Sequence, residues 1–353
     1  MTLRFGYWLP VFGGWLRNAE DEGMPATWEY VRDLAVRSER IGFDLALVAE
    51  LNLNDIKGPE APALDAWTTA AALAAVTRRL ELMVAVRPTF HHPALLAKQA
   101  ANIDRISGGR LSLNVVSSWW KDEATQHGIP FDEHDRRYER TDEWLSVVKG
   151  LWTEARFSYD GRFYRIDRAI LEPKPARLPW PTIYAGGESE AGKDLIARAC
   201  DAYVMHGDPP ERIAGKIADM RKRRSLLAPN APPLLFGVSG YVVCRRTHEA
   251  ARREVARITD VQASARGYAN YEQWIAGTKL EQRVSLQDYS VSNRGLNSGL
   301  VGTPEAIAGR LDAFERAGAD LTLLQFSPQA EEMERFAEEV IPLVRREKTR
   351  VVA

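Results

Sequence analysis

Cysteine is almost missing from this chain: 353 residues contain two, Cys200 and Cys244, each in an apolar surrounding and with no CxxC or metal-type spacing. That argues against a disulfide framework and a thiolate metal site, and it leaves two buried, reduced thiols in a cytoplasmic protein as the simplest reading. Net charge is nearly absent too. A formal balance of −1 removes the electrostatic case for nucleic acid or an anionic membrane. The basic run Arg221-Lys222-Arg223-Arg224 reads as the solvated end of a helix. No apolar run approaches the ~20 residues that span a bilayer, and the opening MTLRFGYWLP is too short for a secretory leader. No G-x-G-x-x-G follows the first strand and no G-x-S-x-G elbow occurs, so a dinucleotide fold and a serine nucleophile gain no support. The charged stretch 133–139 lacks a second histidine at i+4, and no metal site is expected.

Alternation is what the chain has instead. Short apolar segments at 3–9, 45–49, 80–86, 111–116, 182–185, 202–206, 234–244 and 321–326 read as strands. Between them lie helical patterns at 27–41, 65–76, 93–107, 135–152, 189–200, 210–226, 303–317 and 331–346. Thr27 and Thr303 suit N-caps, Pro93 and Pro304 suit first turns, and Gly42 and Gly108-Gly109 suit left-handed ends. Eight strands alternating with eight helices predict an α/β fold of the (β/α)8 TIM-barrel type, with a doubly wound open sheet as the alternative. All 353 residues are read as one domain, with insertions after strands four and seven, at about 155–180 and 247–300. The first insertion holds FSYDGRFYRI, a β-hairpin with an Asp-Gly turn. In the second, residues 289–299 are rich in Ser, Asn and Gly and read as mobile.

In a barrel the site forms where strands end and loops begin. The polar residues there are Glu50, Arg87, Asn114, residues 117–123, residues 186–189, His206, Ser327 and Gln329. Gly186-Gly187-Glu188-Ser189 follows a strand and opens a helix, which suits a phosphate as well as it suits an ordinary glycine-rich turn. Arg137 and Tyr138 would add a charge and a hydroxyl to that phosphate, or serve a surface ion pair with Asp135 or Glu139. Asn114 interrupts an apolar strand, as a ligand for a planar heterocycle or as a satisfied core amide. Trp119 and Trp120 read as substrate wall or subunit interface.

Together, NIDRISGGRLSLNVVSSWWKDE, HDRRYERTDEWL, PTIYAGGESEAGKDL and LVGTPEAIAGRL resemble the bacterial luciferase-like FMN-dependent monooxygenases. The likeness runs over essentially the whole chain and is nearest the branch with pyrimidine, dimethylsulfone and alkanesulfonate monooxygenases. It implies FMN, reduced and as co-substrate, at the C-terminal mouth of the barrel. It also implies O2 and a small organosulfur or N-heterocyclic substrate, a separate NAD(P)H-dependent flavin reductase, and a homodimer or homotetramer. Carried over by motif position, flavin contacts fall at Glu50, Leu51, Asn114, Glu123, Arg137, Tyr138, Gly187 and Ser189. Glu50-Leu51 replaces an Ile-Lys pair of the pyrimidine enzyme, which implies backbone contact there.

The catalytic set implied by the resemblance is Asn114, Ser117 and Arg294, the last on a lid at 289–299. Substrate contacts fall at Phe12, Trp15, Trp119, Tyr241 and Ser327. Several of these positions depart from the alkanesulfonate enzyme. Phe12, Ala63, Ser239, Tyr241, Ser327 and Gln329 stand where that enzyme has histidine, cysteine, arginine, histidine, tyrosine and histidine. A pocket losing those groups suits a neutral or larger substrate better than a sulfonate, which needs charge-assisted partners when buried. A deazaflavin-dependent oxidoreductase on the same barrel and a non-catalytic flavin-binding protein are the alternatives.

Overall fold

The computed structural model describes residues 3–262, 266–277, 279, 281 and 284–345. Eight strands close on themselves: β1 (Arg4–Leu9), β2 (Leu45–Val48), β3 (Glu81–Val86), β4 (Leu111–Val115), β5 (Thr182–Ala185), β6 (Ala202–Met205), β7 (Leu235–Tyr241) and β8 (Leu321–Gln325). All neighbours are parallel. β8 returns to β1 in the register Arg4↔Leu321 to Tyr7↔Leu324, so the doubly wound alternative is excluded. β2 and β4 are buried along their whole length, as parallel strands covered on both faces must be.

Around the strands lie α1 (Trp28–Ile41), α2 (Ala66–Val76), α3 (Pro93–Ser107), α4 (His134–Thr153), α5 (Glu190–Ala199), α6 (Pro210–Leu227), α7 (Pro304–Ala317) and α8 (Gln329–Glu339). Side chains cap four of them. Thr27, Asp65, Ser189 and Thr303 accept hydrogen bonds from the backbone N–H of Tyr30, Thr68, Gly192 and Ala306. Arg346, expected in the closing helix, lies outside the described residues.

Three local expectations differ from the structure. The strand expected over 234–244 leaves the barrel after Tyr241, and Val243–Cys244 pairs instead with Val301–Gly302. The backbone there is claimed from two sides, Val242 N–H donating to Gln325 O and Val243 N–H to Leu300 O. The hairpin pairs Phe157–Asp160 with Arg165–Ala169, so its turn spans 161–164 and is not a two-residue Asp-Gly turn. Glu143 of α4 holds the wider turn by accepting N–H bonds from Arg162, Phe163 and Tyr164 at 2.8, 2.8 and 3.3 Å.

Residues expected to form an irregular Ser-, Asn- and Gly-rich loop are built into the barrel mouth. Ser292–Ser298 is a 3-10 helix lying on β7, and Val291 forms a bridge to Leu16. A Cβ at Gly295 would stand 2.8 Å from Tyr241 N and Cβ, so only glycine permits so close an approach.

Candidate functional site

A cavity of about 300 Å³ opens at the C-terminal ends of the barrel strands, within the size range of small-molecule sites. One side of it is polar and orphaned. Asn114 faces inward from β4 and is 8% exposed, yet its Oδ1 is buried without a hydrogen-bond partner. A buried acceptor left unmet costs about 1–3 kcal/mol. Beside it Ser118 takes a left-handed backbone (φ 48°) in the loop after β4, and its Oγ is also buried and unmet. Ser117 is held, its Oγ lying 3.1 Å from Thr141 Oγ1 on α4. Trp119 and Trp120 stack with centroids 5.5 Å apart; Trp119 lines the cavity while Trp120 is buried behind it.

At the glycine turn before α5 the space is set by what is not there. A Cβ on Gly187 or Gly192 would meet the Tyr138 hydroxyl at 3.2 or 3.0 Å. The bare backbone, the start of a ten-residue helix and a phenol hydroxyl therefore share one small concavity. Helix dipole and N–H groups make such a place favourable for an anion. Arg137, one residue before Tyr138, lines the cavity and donates from Nη1 to Ser118 O at 2.7 Å.

The remaining wall is a set of compensated charges. Arg87, 2% exposed, donates its N–H to Glu50 at 2.8 Å and its Nη1 to Glu123. His91 stands 2.5 Å from the other Glu50 oxygen. Arg17 pairs with Asp55 at 2.5 Å and lies 3.8 Å over the Tyr289 ring. Glu188 receives Arg294 and, at 3.0 Å, Lys216, while His206 Nδ1 lies 3.0 Å from Arg294 Nη2. Burial alone would raise the Glu188 carboxyl. The hydrogen bond and charge of His206, with the charges of Arg294 and Lys216, more than reverse this and hold it far below the usual carboxylate range.

Of the residues given a flavin, catalytic or substrate role from sequence, Phe12, Trp15, Glu50, Leu51, Asn114, Ser117, Trp119, Arg137, Tyr138, Gly187 and Arg294 converge on this cavity. Four do not. Glu123 is fully buried, its carboxylate spent on Arg87 and on Asn52 N–H, so it braces the wall without facing the space. Ser189 spends its hydroxyl capping α5. Tyr241 and Ser327 are buried outside the cavity against one another, beneath the 3-10 helix that Gly295 brings onto β7. Sequence reading missed Trp8, Arg17, Asp55 and Trp274. Arg17 and Asp55 carry no motif and meet only through the fold; Trp274 sits in an insertion whose path no periodicity announced.

Residues 3–321 match the family model of luciferase-like monooxygenase. The chain is similar to an FMNH2-dependent dimethylsulfone monooxygenase of Pseudomonas putida, 36% identical over 97% of this chain and 95% of the relative. A protein of the same description from Pseudomonas fluorescens (strain Pf0-1) is 34% identical over 98% and 95%. Among solved structures, a long-chain alkane monooxygenase superposes with a TM-score of 0.83 at 20% identity, over 99% of this chain and 92% of that one, a likeness of fold.

Proposed function

The chain belongs to the luciferase-like monooxygenase family, and from that premise we propose that it is the oxygenase half of a two-component system, acting with reduced FMN on a small organosulfur compound. One observation carries the cofactor reading. A buried, unmet amide oxygen at Asn114 and a glycine cradle under the Tyr138 hydroxyl open onto the same cavity. The residues present therefore fit FMN, a flat heterocycle with a phosphate at its far end. Asn114 would hold the ring, and Arg137, Tyr138 and the Gly187 backbone the phosphate. When bound, reduced FMN supplies the electrons with which O2 is divided between substrate and water.

The protein's own contribution is enclosure and orientation. The 3-10 helix Ser292–Ser298 and Val291 cover the mouth and keep water from it. Ser117, fixed through Thr141, and Trp119 bound the space left for substrate. Arg294 reaches in from the covering segment, its charge met by Glu188 and its Nε and Nη1 still unmet. Those two N–H groups would donate to a neutral oxygen acceptor.

That balance of charge supports the substrate class. Arg17, Arg87 and Arg294 each have a carboxylate, so they offer hydrogen bonds without a surplus of positive charge. A sulfone oxygen suits them; a sulfonate would bring an uncompensated negative charge into the same space. Dimethyl sulfone, on which the relatives act by name, is the type case. Reduced FMN comes from an NAD(P)H-dependent flavin reductase in the cytoplasm. The enzyme assembles as a homodimer or homotetramer, a reading that the exposed Leu95 and Ile106 on α3 support.

The test is anaerobic titration with photoreduced FMN, followed by 18O2 and dimethyl sulfone with the product mass read. Micromolar binding and a single 18O in the product are expected. Failure to bind reduced FMN, or oxygen-free turnover with a deazaflavin, would refute the proposal.

A further inference from the structure

The N-terminal end of the barrel carries a second cavity, of about 410 Å³, on the opposite side from the flavin-side mouth. Its place follows from its residues: Arg4 and Glu81 begin β1 and β3, and Asp44 and Arg110 immediately precede β2 and β4. With strands of about five residues, roughly 17 Å of packed interior separates the two ends. Six arginines and three carboxylates line it, a surplus of three positive charges.

The carboxylates are already committed. Glu81 pairs with Arg4 at 2.8 Å, Asp44 accepts the Phe5 N–H at 2.8 Å, and Glu39 accepts N–H bonds from Arg78, Arg79 and Leu80. Arg110 spends its guanidinium on the carbonyls of Ala74, Thr77, Leu80 and Ser107 and on Thr77 Oγ1, none of which cancels its charge. Among the described residues the side chains of Arg40, Arg177 and Arg345 have no hydrogen-bond or ion-pair partner, the bond from Arg177 to Asp104 being made by its backbone N–H. Arg177 is half-buried, and its charge is felt at the Tyr184 hydroxyl inside the barrel. Gly42 and Gly109 lie beside two of these arginines, an added Cβ standing 3.8 Å from Arg345 Nη2 and from Arg177 Cβ, so no side chain fills the floor.

We propose that this pocket binds a small, multiply charged phosphate anion of diphosphate size. Guanidinium forks match phosphate oxygens two at a time, and the surplus charge equals that of a diphosphate near neutral pH. The site is separate from the flavin phosphate concavity, and its ligand stabilises the fold by mass action without entering the reaction.

Titration of the full chain with inorganic pyrophosphate, with and without saturating FMN, tests this. One site filling below about 1 mM is expected, with affinity unchanged by FMN and falling as salt is raised. Arg40→Ala/Arg177→Ala should weaken it by about tenfold while leaving FMN affinity intact. If that variant melts early, Arg345→Ala is read in its place, with a loss of about threefold expected. Displacement of pyrophosphate by FMN, equal affinity for inorganic phosphate, affinity unchanged in the variants, or absence of saturable binding would each overturn the proposal.

Discussion

Replacing Asn114 with leucine is expected to make the flavin-free protein more stable and its grip on reduced FMN weaker. The two effects come from one atom. Asn114 Oδ1 is buried with no partner, so the free protein bears a desolvation cost of about 1–3 kcal/mol that leucine, close to asparagine in shape, does not. Asn114 lies on β4, whose backbone ladder to β3 and β5 runs through Ala85 and Tyr184 and is untouched by the change. A gain of about 1 kcal/mol in urea unfolding of the flavin-free protein is the conservative expectation. Reduced FMN would lose one hydrogen bond and bury an unmet group of its own, about 2 kcal/mol in all, or about thirtyfold in Kd. Ser112 supplies the control. It lies two residues earlier on the same face of β4, is fully buried with an unmet Oγ, and does not line the cavity. Ser112→Ala should therefore leave FMN affinity unchanged. A destabilised N114L with unaltered FMN binding would mean that Asn114 is a core amide, and the site as drawn would be wrong.

Gly192→Ala should change stability by no more than about 1 kcal/mol, alanine's helix preference opposing the crowding of the capping Ser189 Oγ at 3.2 Å, while displacing the Tyr138 hydroxyl and weakening FMN about tenfold; fluorescence titration reads it. Glu188 governs part of the acid limb of stability. Its carboxyl is held low in the folded state, so its contribution is complete above the ordinary carboxylate pKa of about 4.3 and is lost as pH falls below that value. Glu188→Gln should flatten unfolding curves between about pH 5 and 3, and an unchanged slope would count against the network. C2–C10 alkanesulfonates are expected to turn over about a hundredfold less efficiently than dimethyl sulfone, measured as kcat/KM with a supplied reductase. Burial pushes the Cys200 and Cys244 thiols up to about 12 and about 11, so a disulfide reagent at pH 8 should label neither until the chain unfolds.

The alternation of apolar strands with capped helices was legible because every barrel strand is short, two-sided and bounded by turn residues. Asn114 stood out for the same reason, as the one amide within the apolar run LSLNVV. The glycine turn at 186–187 was visible as a motif but ambiguous, since its meaning depends on Tyr138, which arrives from another helix. Glu123 and Ser189 were expected as flavin contacts from the resemblance, yet their hydrogen-bonding capacity goes to Arg87 and to a helix cap. No linear pattern reports such competition.

Local order in this chain, meaning which segments are strands, where helices start and which strand ends are polar, follows from periodicity and capping, interactions that reach only a few residues. Three things belong to the tertiary structure alone. One is the pairing of Arg17 with Asp55 and Arg294 with Glu188 into compensated charges. Another is the seating of residues 292–298 on β7 through Gly295. The last is the collection of six arginines from helix, loop and strand-start positions at the far end of the barrel. Each needs groups distant in sequence to share a few ångströms, and closure of the barrel is what brings them there.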